Sequence, residues 1–341
     1  MIITTVVSFL VVLTIIVLIH ELGHFLVAKK LGIKVEEFGI GFPPRAWGKK
    51  IGETIYSINW LPIGGFVKLY GEDDAGMGKI PSSKFQVPNK DIGRAFYSLP
   101  LWQRISVVIA GVIMNFILAV TLISFLFATQ GVALPSENVV VSKISKNSPA
   151  ALVDIRPDDR VIKINGKKIN SSEAFIAEAN KNRGREVSLN ILREGVDIEK
   201  KLTPRIKVPK GEGAIGVSIT DIEIKKYNWL EAPIYGTIEA GKFSFMILQG
   251  LFNMVSDFVT TGSKPEGVAG PIGVAQLTGQ AVSFGLYAVL WFMAILSLNL
   301  AVLNILPIPA LDGGRFFFQI IELITRKKVS PRHEALAHGI G

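Results

Sequence analysis

The sequence contains no cysteine, which excludes disulfides and thiolate ligands, so any metal must be held by imidazole or carboxylate groups. The same absence says nothing about compartment. Histidine is almost as scarce, with four in 341 residues, at positions 20, 24, 333 and 338. Charge is missing from the whole run Ile2 to Ile19, which is apolar apart from Ser8 and a few threonines. No basic residue precedes that run, it is too long for a secretory h-region, and cleavage behind it would discard the first histidine pair. A retained first segment is therefore expected rather than a signal peptide. Lys and Arg number 37 against 28 Asp and Glu, a net charge of +9. These cations are scattered and no aromatic-rich basic groove accompanies them, so no nucleic-acid partner is expected and the excess reads as membrane flanks and solvated faces.

What is present is apolar side chain, 49% of the residues, with a mean hydropathy of +0.41. That composition suits a multi-span protein of the lipid bilayer. Its most informative stretch is His20-Glu21-Leu22-Gly23-His24, an H-E-x-x-H pattern inside the first apolar segment. On a helix, residues four apart share a face, so both imidazoles can meet one ion with a carboxylate beside them. Zinc takes nitrogen and oxygen ligands tetrahedrally, and a catalytic zinc keeps one position for water. Ionisable groups at membrane depth cost about 2.5 to 3.5 kcal/mol each on insertion scales, which argues that these are kept for function.

In chain order, Ile2 to about Ala28 is a first span, roughly 40 Å long at 1.5 Å per residue. Lys29, Lys30 and Lys34 follow it, which places the N-terminus outside and the motif toward the cytoplasm. In residues 36–70, Gly39, Gly41, Pro43 and Pro44 rule out a helix, and the strand formers Thr54 to Trp60 and Phe66 to Tyr70 follow, interrupted by Pro62 and Gly64-Gly65. They read as a hairpin-like β element at the membrane, followed by an acidic turn at Glu72-Asp73-Asp74 and a loop to Lys90. A second span runs from about Ile105 to Phe127; in it Ala110 and Gly111 permit close helix approach, and Asn115 is a polar group at mid-depth, either inter-helix glue or a positioning residue. Residues 1–130 thus form a first membrane half.

Residues 134–220 read as a soluble α+β insert. Ser148-Pro149 starts a short helix, Asn165-Gly166 and Glu194-Gly195 make tight turns, and Asn170 with Glu173 suggests a capping box. The order of elements, with Asn147-Ser148-Pro149-Ala150, Ile155 to Ile162 and Ile164-Asn165-Gly166, resembles a PDZ domain, which takes extended peptides by strand addition. Gly213 to Val217 is the candidate carboxylate-facing loop, although no Gly-Leu-Gly-Phe match exists, and a size-excluding gate is an equal alternative. In residues 221–341, Pro233 to Val259 carries Lys242 and Asp257 and reads as an amphipathic helix along the outer interface. Val268 to Gly273 breaks regular structure. A third span follows from about Phe284 to Leu306. Beyond it, Asn304 to Leu306, Pro307-Ile308-Pro309 and Ala310-Leu311-Asp312-Gly313-Gly314 put an aspartate in irregular backbone between apolar flanks. Such backbone is tolerated where protein buries it, and Asp312 is either a zinc ligand or the cap of the next helix. His333 and His338 lie among charged or small residues and are weaker candidates.

These motifs, in this order and at membrane depth, resemble the site-2 protease family, specifically bacterial regulator-of-sigma-E proteases, over nearly the whole chain. The fold implied is an α-helical multi-span membrane protein with a membrane-associated β element and an inserted PDZ domain. The resemblance implies zinc (Zn2+) bound by His20, His24 and Asp312, Glu21 activating water, and Asn304 holding the oxyanion or the substrate backbone. It implies regulated intramembrane proteolysis of single-span membrane proteins, anti-sigma factors in a stress response or signal-peptide remnants, at the bacterial inner membrane. The PDZ domain would stand on the outer, periplasmic side and bind a peptide or a trimmed substrate end. Some relatives carry two PDZ domains where one is evident here, and members usually have a further span after the basic segment at Arg326-Lys327-Lys328. The rival class is a non-catalytic PDZ-bearing scaffold with a structural zinc. A metal transporter would need more intramembrane ligands along a path.

Overall fold

The computed structural model describes residues 2–72, 89–262 and 269–326. They divide into two compact units, residues 129–227 and the remainder of the chain.

The larger unit begins with α1 (Ile2–Lys30), whose inward stripe is Val12, Ile16, His20, His24 and Ala28, a strict repeat of four. The stripe that packs the helix is thus the stripe that aims both imidazoles inward. Its other face leaves Ile3, Val6, Val7, Val11 and Ile15 exposed, as a lipid-facing surface requires. The helix α2 (Leu101–Thr129) buries Val107, Val108, Gly111, Asn115, Ala119 and Ile123, a second period-four stripe.

Between them lie β1 (Val35–Ile51) and β2 (Thr54–Leu69). The sequence suggested a simple hairpin; each strand is instead bent into two arms. Residues 35–40 pair on one side with 65–69, and 37–40 pair on the other with 55–58, while 45–51 pair with 54–59. β1 runs through Gly39, Gly41 and Pro43-Pro44, residues that exclude a helix, and β2 continues through Pro62 and Gly64-Gly65, the residues expected to interrupt it. Among the described residues, 65–69 and 45–51 are the two edges of this antiparallel sheet. The arm 62–67 runs along α1: Gly64 N–H donates to Thr14 Oγ1 at 3.2 Å, and Gly64 stands against Val17. The far turn is anchored by Glu53, which accepts from Arg94 at 2.7 and 2.8 Å and from Lys29 at 3.2 Å. Those bonds, Arg94 first, hold the Glu53 carboxyl down to about 2. Asp73 and Asp74 lie outside the described residues, as do His333 and His338; Glu72 pairs with Arg315.

Three further helices precede the last motif. The segment carrying Lys242 and Asp257 forms α3 (Ala232–Thr261), a 30-residue helix and, among the described residues, one of four that length and composition would allow to cross a membrane. Lys242 pairs with Glu239 one turn back, and Ala232, Gly236 and Ala240 bury a small-residue face, with Gly236 against Ser124 of α2. Of the stretch Val268 to Gly273, Val268 lies outside the described residues, and α4 (Pro271–Phe284) starts at its proline and packs against α1, with Gly279 beside Thr5. Then α5 (Leu286–Ile305) and α6 (Asp312–Thr325) flank the Leu306 to Leu311 turn. Arg104 at the start of α2 holds Glu322 of α6 at 2.7 Å.

The smaller unit is a six-stranded antiparallel sheet with two short helices: β3 (Val132–Ile144), α7 (Pro149–Leu152), β4 (Arg160–Ile164), β5 (Lys167–Lys168), α8 (Ser172–Lys181), β6 (Val187–Arg193), β7 (Val196–Leu202) and β8 (Val217–Lys225). Its order is β7-β6-β4-β3-β8, with β5 paired to β4. Inward residues Val139, Val161, Ile164, Leu189 and Ile191 meet Phe175 of α8 in one core. Asn165 and Gly166 both have positive φ, as the two-residue β4–β5 turn demands. The cap of α8 is Ser171, accepting from Ala174 N–H at 3.2 Å, one residue later than the Asn170 expected. This is an α+β architecture, as anticipated for the segment between the membrane spans. Asp159 ties the β4 entry to Arg193 through two bonds of 2.7 and 2.8 Å.

Candidate active site

Three donor atoms from distant parts of the chain meet beside α1. His20 Nε2 and His24 Nε2 are 3.1 Å apart, and Asp312 Oδ2 stands 2.9 Å from the first and 3.2 Å from the second. Both rings are buried, nearly perpendicular to one another. Asp312 is the first residue of α6, yet it caps nothing: Leu311 holds the cap position, and the carboxylate turns to the histidines. The tight turn before it explains the two glycines behind it, since a Cβ on Gly314 would lie 2.8 Å from Ile308 O.

A metal ion fits this set on the structure's own evidence. Asp312 Oδ2 is buried without a hydrogen-bond partner, although two ring nitrogens approach it closely. Two imidazole nitrogens and a carboxylate oxygen so close together can turn their lone pairs to a common point. Zinc–ligand lengths of about 2.0 to 2.1 Å at tetrahedral angles put donors roughly 3.3 Å apart, close to the spacing here. His24 Nδ1 lies 2.7 Å from Val107 O, which fixes that ring and leaves Nε2 for an ion. His20, His24 and Asp312 are thus able to hold zinc; His333 and His338 lie outside the described residues.

Glu21 points to the other side of α1's inward stripe, where its Oε2 accepts from Val67 N–H at 3.0 Å. That donor belongs to the edge arm of the sheet. No side-chain pattern betrays it, because a backbone N–H leaves no trace in composition. Asn304, in the last turn of α5, brings Nδ2 to 3.4 Å from His20 Nε2. Gly111 of α2 forms the floor: a Cβ there would lie 2.5 Å from His24 Nε2 and 2.6 Å from His20 Cε1. All five residues expected from the sequence, His20, Glu21, His24, Asn304 and Asp312, thus gather at one place.

The family model for peptidase family M50 matches residues 8–341. This chain belongs to peptidase family M50. A provisionally named zinc metalloprotease of Clostridium acetobutylicum is 36% identical over 96% of this chain and 89% of its own. The regulator of sigma-W protease RasP of Bacillus subtilis is 29% identical over 100% of this chain and 95% of its own. A PDZ domain of an SdrC-like protein of Listeria monocytogenes covers 26% of this chain and 95% of its own at 24% identity, with a TM-score of 0.23. As a member of family M50 the protein is a zinc metalloprotease integral to the membrane.

Proposed function

We propose that this M50 protease hydrolyses peptide bonds of single-span membrane proteins within the bilayer. In this reading His20, His24 and Asp312 hold zinc, and Glu21 is the general base. The observation that carries it is the meeting of two buried imidazole nitrogens and a carboxylate oxygen within 3.2 Å of one another. Zinc bound there supplies Lewis acidity toward the scissile carbonyl and makes water more acidic. Glu21 takes a proton from the attacking water as its oxygen adds to the carbonyl carbon. It passes that proton to the nitrogen as the C–N bond breaks. Asn304 Nδ2 donates to the developing oxyanion or to the substrate backbone.

A substrate helix has its carbonyls engaged, so the cleaved stretch must first be extended. The arm 65–69 is an edge strand whose Val67 N–H already addresses Glu21, and backbone pairing along it would lay an extended segment beside the base. Replacing Val67 by Pro removes that N–H. Cleavage of a membrane substrate is expected to fall at least about tenfold, the low end of what supporting groups contribute, with zinc content unchanged. Full activity in Val67→Pro would dismiss both the tether and the strand capture.

Sidedness follows from Lys29, Lys30 and Lys34: the site faces the cytoplasm, and the PDZ domain stands outside the bacterial inner membrane. The name of the RasP relative supports sigma-factor regulation, hence trimmed anti-sigma factors as substrates, with signal-peptide remnants as a second class. The PDZ domain then inspects the trimmed end or excludes bulky ectodomains. The direct test incubates the purified protein with a model single-span substrate, with and without a zinc chelator. Cleavage is expected to stop on chelation and return with added zinc; cleavage indifferent to chelation would reject the reading.

A further inference from the structure

Asn115 is a fully buried side chain that the chemistry above leaves unused. It lies one turn beyond Gly111 on α2, and its Nδ2 is 3.4 Å from His20 Nδ1, the ring nitrogen opposite the one facing Asp312. Its Oδ1 is buried with no partner. Its backbone carbonyl accepts from Ser297 Oγ of α5 at 2.8 Å, so the residue is fixed where α2 and α5 meet.

We propose that Asn115 is a positioning residue that sets the orientation and tautomer of His20; this rests on the reading of His20 as a zinc ligand. A neutral imidazole carries one proton, and binding an ion through Nε2 requires that proton on Nδ1, where it needs an acceptor. His24 has its acceptor in Val107 O. For His20 the group in reach is the Asn115 amide. With Nδ2 toward the ring, the amide donates to Nδ1 and the ring proton sits on Nε2, facing Asp312. Turned by half a turn, the same amide offers Oδ1 to Nδ1–H and frees the Nε2 lone pair toward His24 and Asp312. Only a planar head with a donor and an acceptor serves both states. Leucine, of similar size, serves neither, and aspartate serves the second.

The test measures zinc affinity of the full chain in detergent by competition with a chromophoric chelator, for wild type, Asn115→Leu and Asn115→Asp, with folding followed by circular dichroism. Asn115→Leu is expected to bind zinc about 10- to 100-fold more weakly, as lost supporting hydrogen bonds to ligating histidines do, while Asn115→Asp retains the affinity. Equal affinity of Asn115→Leu and wild type overturns the proposal. Equal weakening in both variants also overturns it, since that marks a packing role. Should Asn115→Leu fail to fold, the 15N signals of zinc-loaded wild type decide: a proton on His20 Nδ1 supports the proposal and a proton on Nε2 overturns it. Wild-type protein that binds no zinc overturns the ligand reading itself, an outcome distinct from the others.

Discussion

Glu21→Gln is expected to cut proteolysis by about 10²- to 10⁴-fold, the usual worth of a positioned general base, while zinc content stays at the wild-type level. The two halves of that result come from different atoms. Glutamine keeps an oxygen for the Val67 N–H at 3.0 Å, so the tether to the sheet survives. It leaves His20, His24 and Asp312 untouched. It lacks only the basicity needed to take a proton from water. A purified variant assayed on a single-span substrate, with its metal measured in parallel, checks this. Activity within tenfold of wild type would remove Glu21 from the mechanism. Loss of activity together with unaltered function in cells would favour the scaffold class.

The second large effect is expected from a single methyl group. In Gly111→Ala the new carbon would stand 2.5 Å from His24 Nε2 and 2.6 Å from His20 Cε1, where ordinary contacts need about 3.5 Å. The His24 ring cannot swing away freely, because its other nitrogen is engaged by Val107 O on the same helix as Gly111. Something must move by roughly 1 Å, and displacements of that size at a reacting centre cost about 100-fold. Cleavage is expected to fall by at least that factor and zinc retention to fall with it. A Gly111→Ala protein with full zinc and wild-type rate would show that α2 does not lie against the histidines as described.

The metal site was legible because each part broke a local rule. His20 and His24 stand in a run otherwise free of charge, and Asp312 follows two prolines between apolar flanks. What the residues could not announce was their neighbours. Asn115 was visible as a polar group at mid-depth, but its contact with His20 depends on how α1 and α2 are set against each other. Gly111 signalled close approach without saying to what. The Val67 N–H is backbone and has no composition at all. The β element was recognised from Thr54 to Trp60 and Phe66 to Tyr70, yet its four arms were not, because Pro62 and Gly64-Gly65 read as a break where the strand runs on. Ser171 took the cap expected of Asn170, a shift of one residue that local propensity does not resolve.

The central claim is that one ion is held by two imidazoles and a carboxylate from the two ends of the chain. Zinc K-edge absorption of the purified protein tests it most directly. The account predicts two imidazole nitrogens at about 2.0 to 2.1 Å and oxygen at about 2.0 to 2.2 Å, with the oxygen shell altered in Asp312→Ala and the imidazole count reduced in His24→Ala. A shell with three or more imidazoles, or one unchanged by Asp312→Ala, would contradict it.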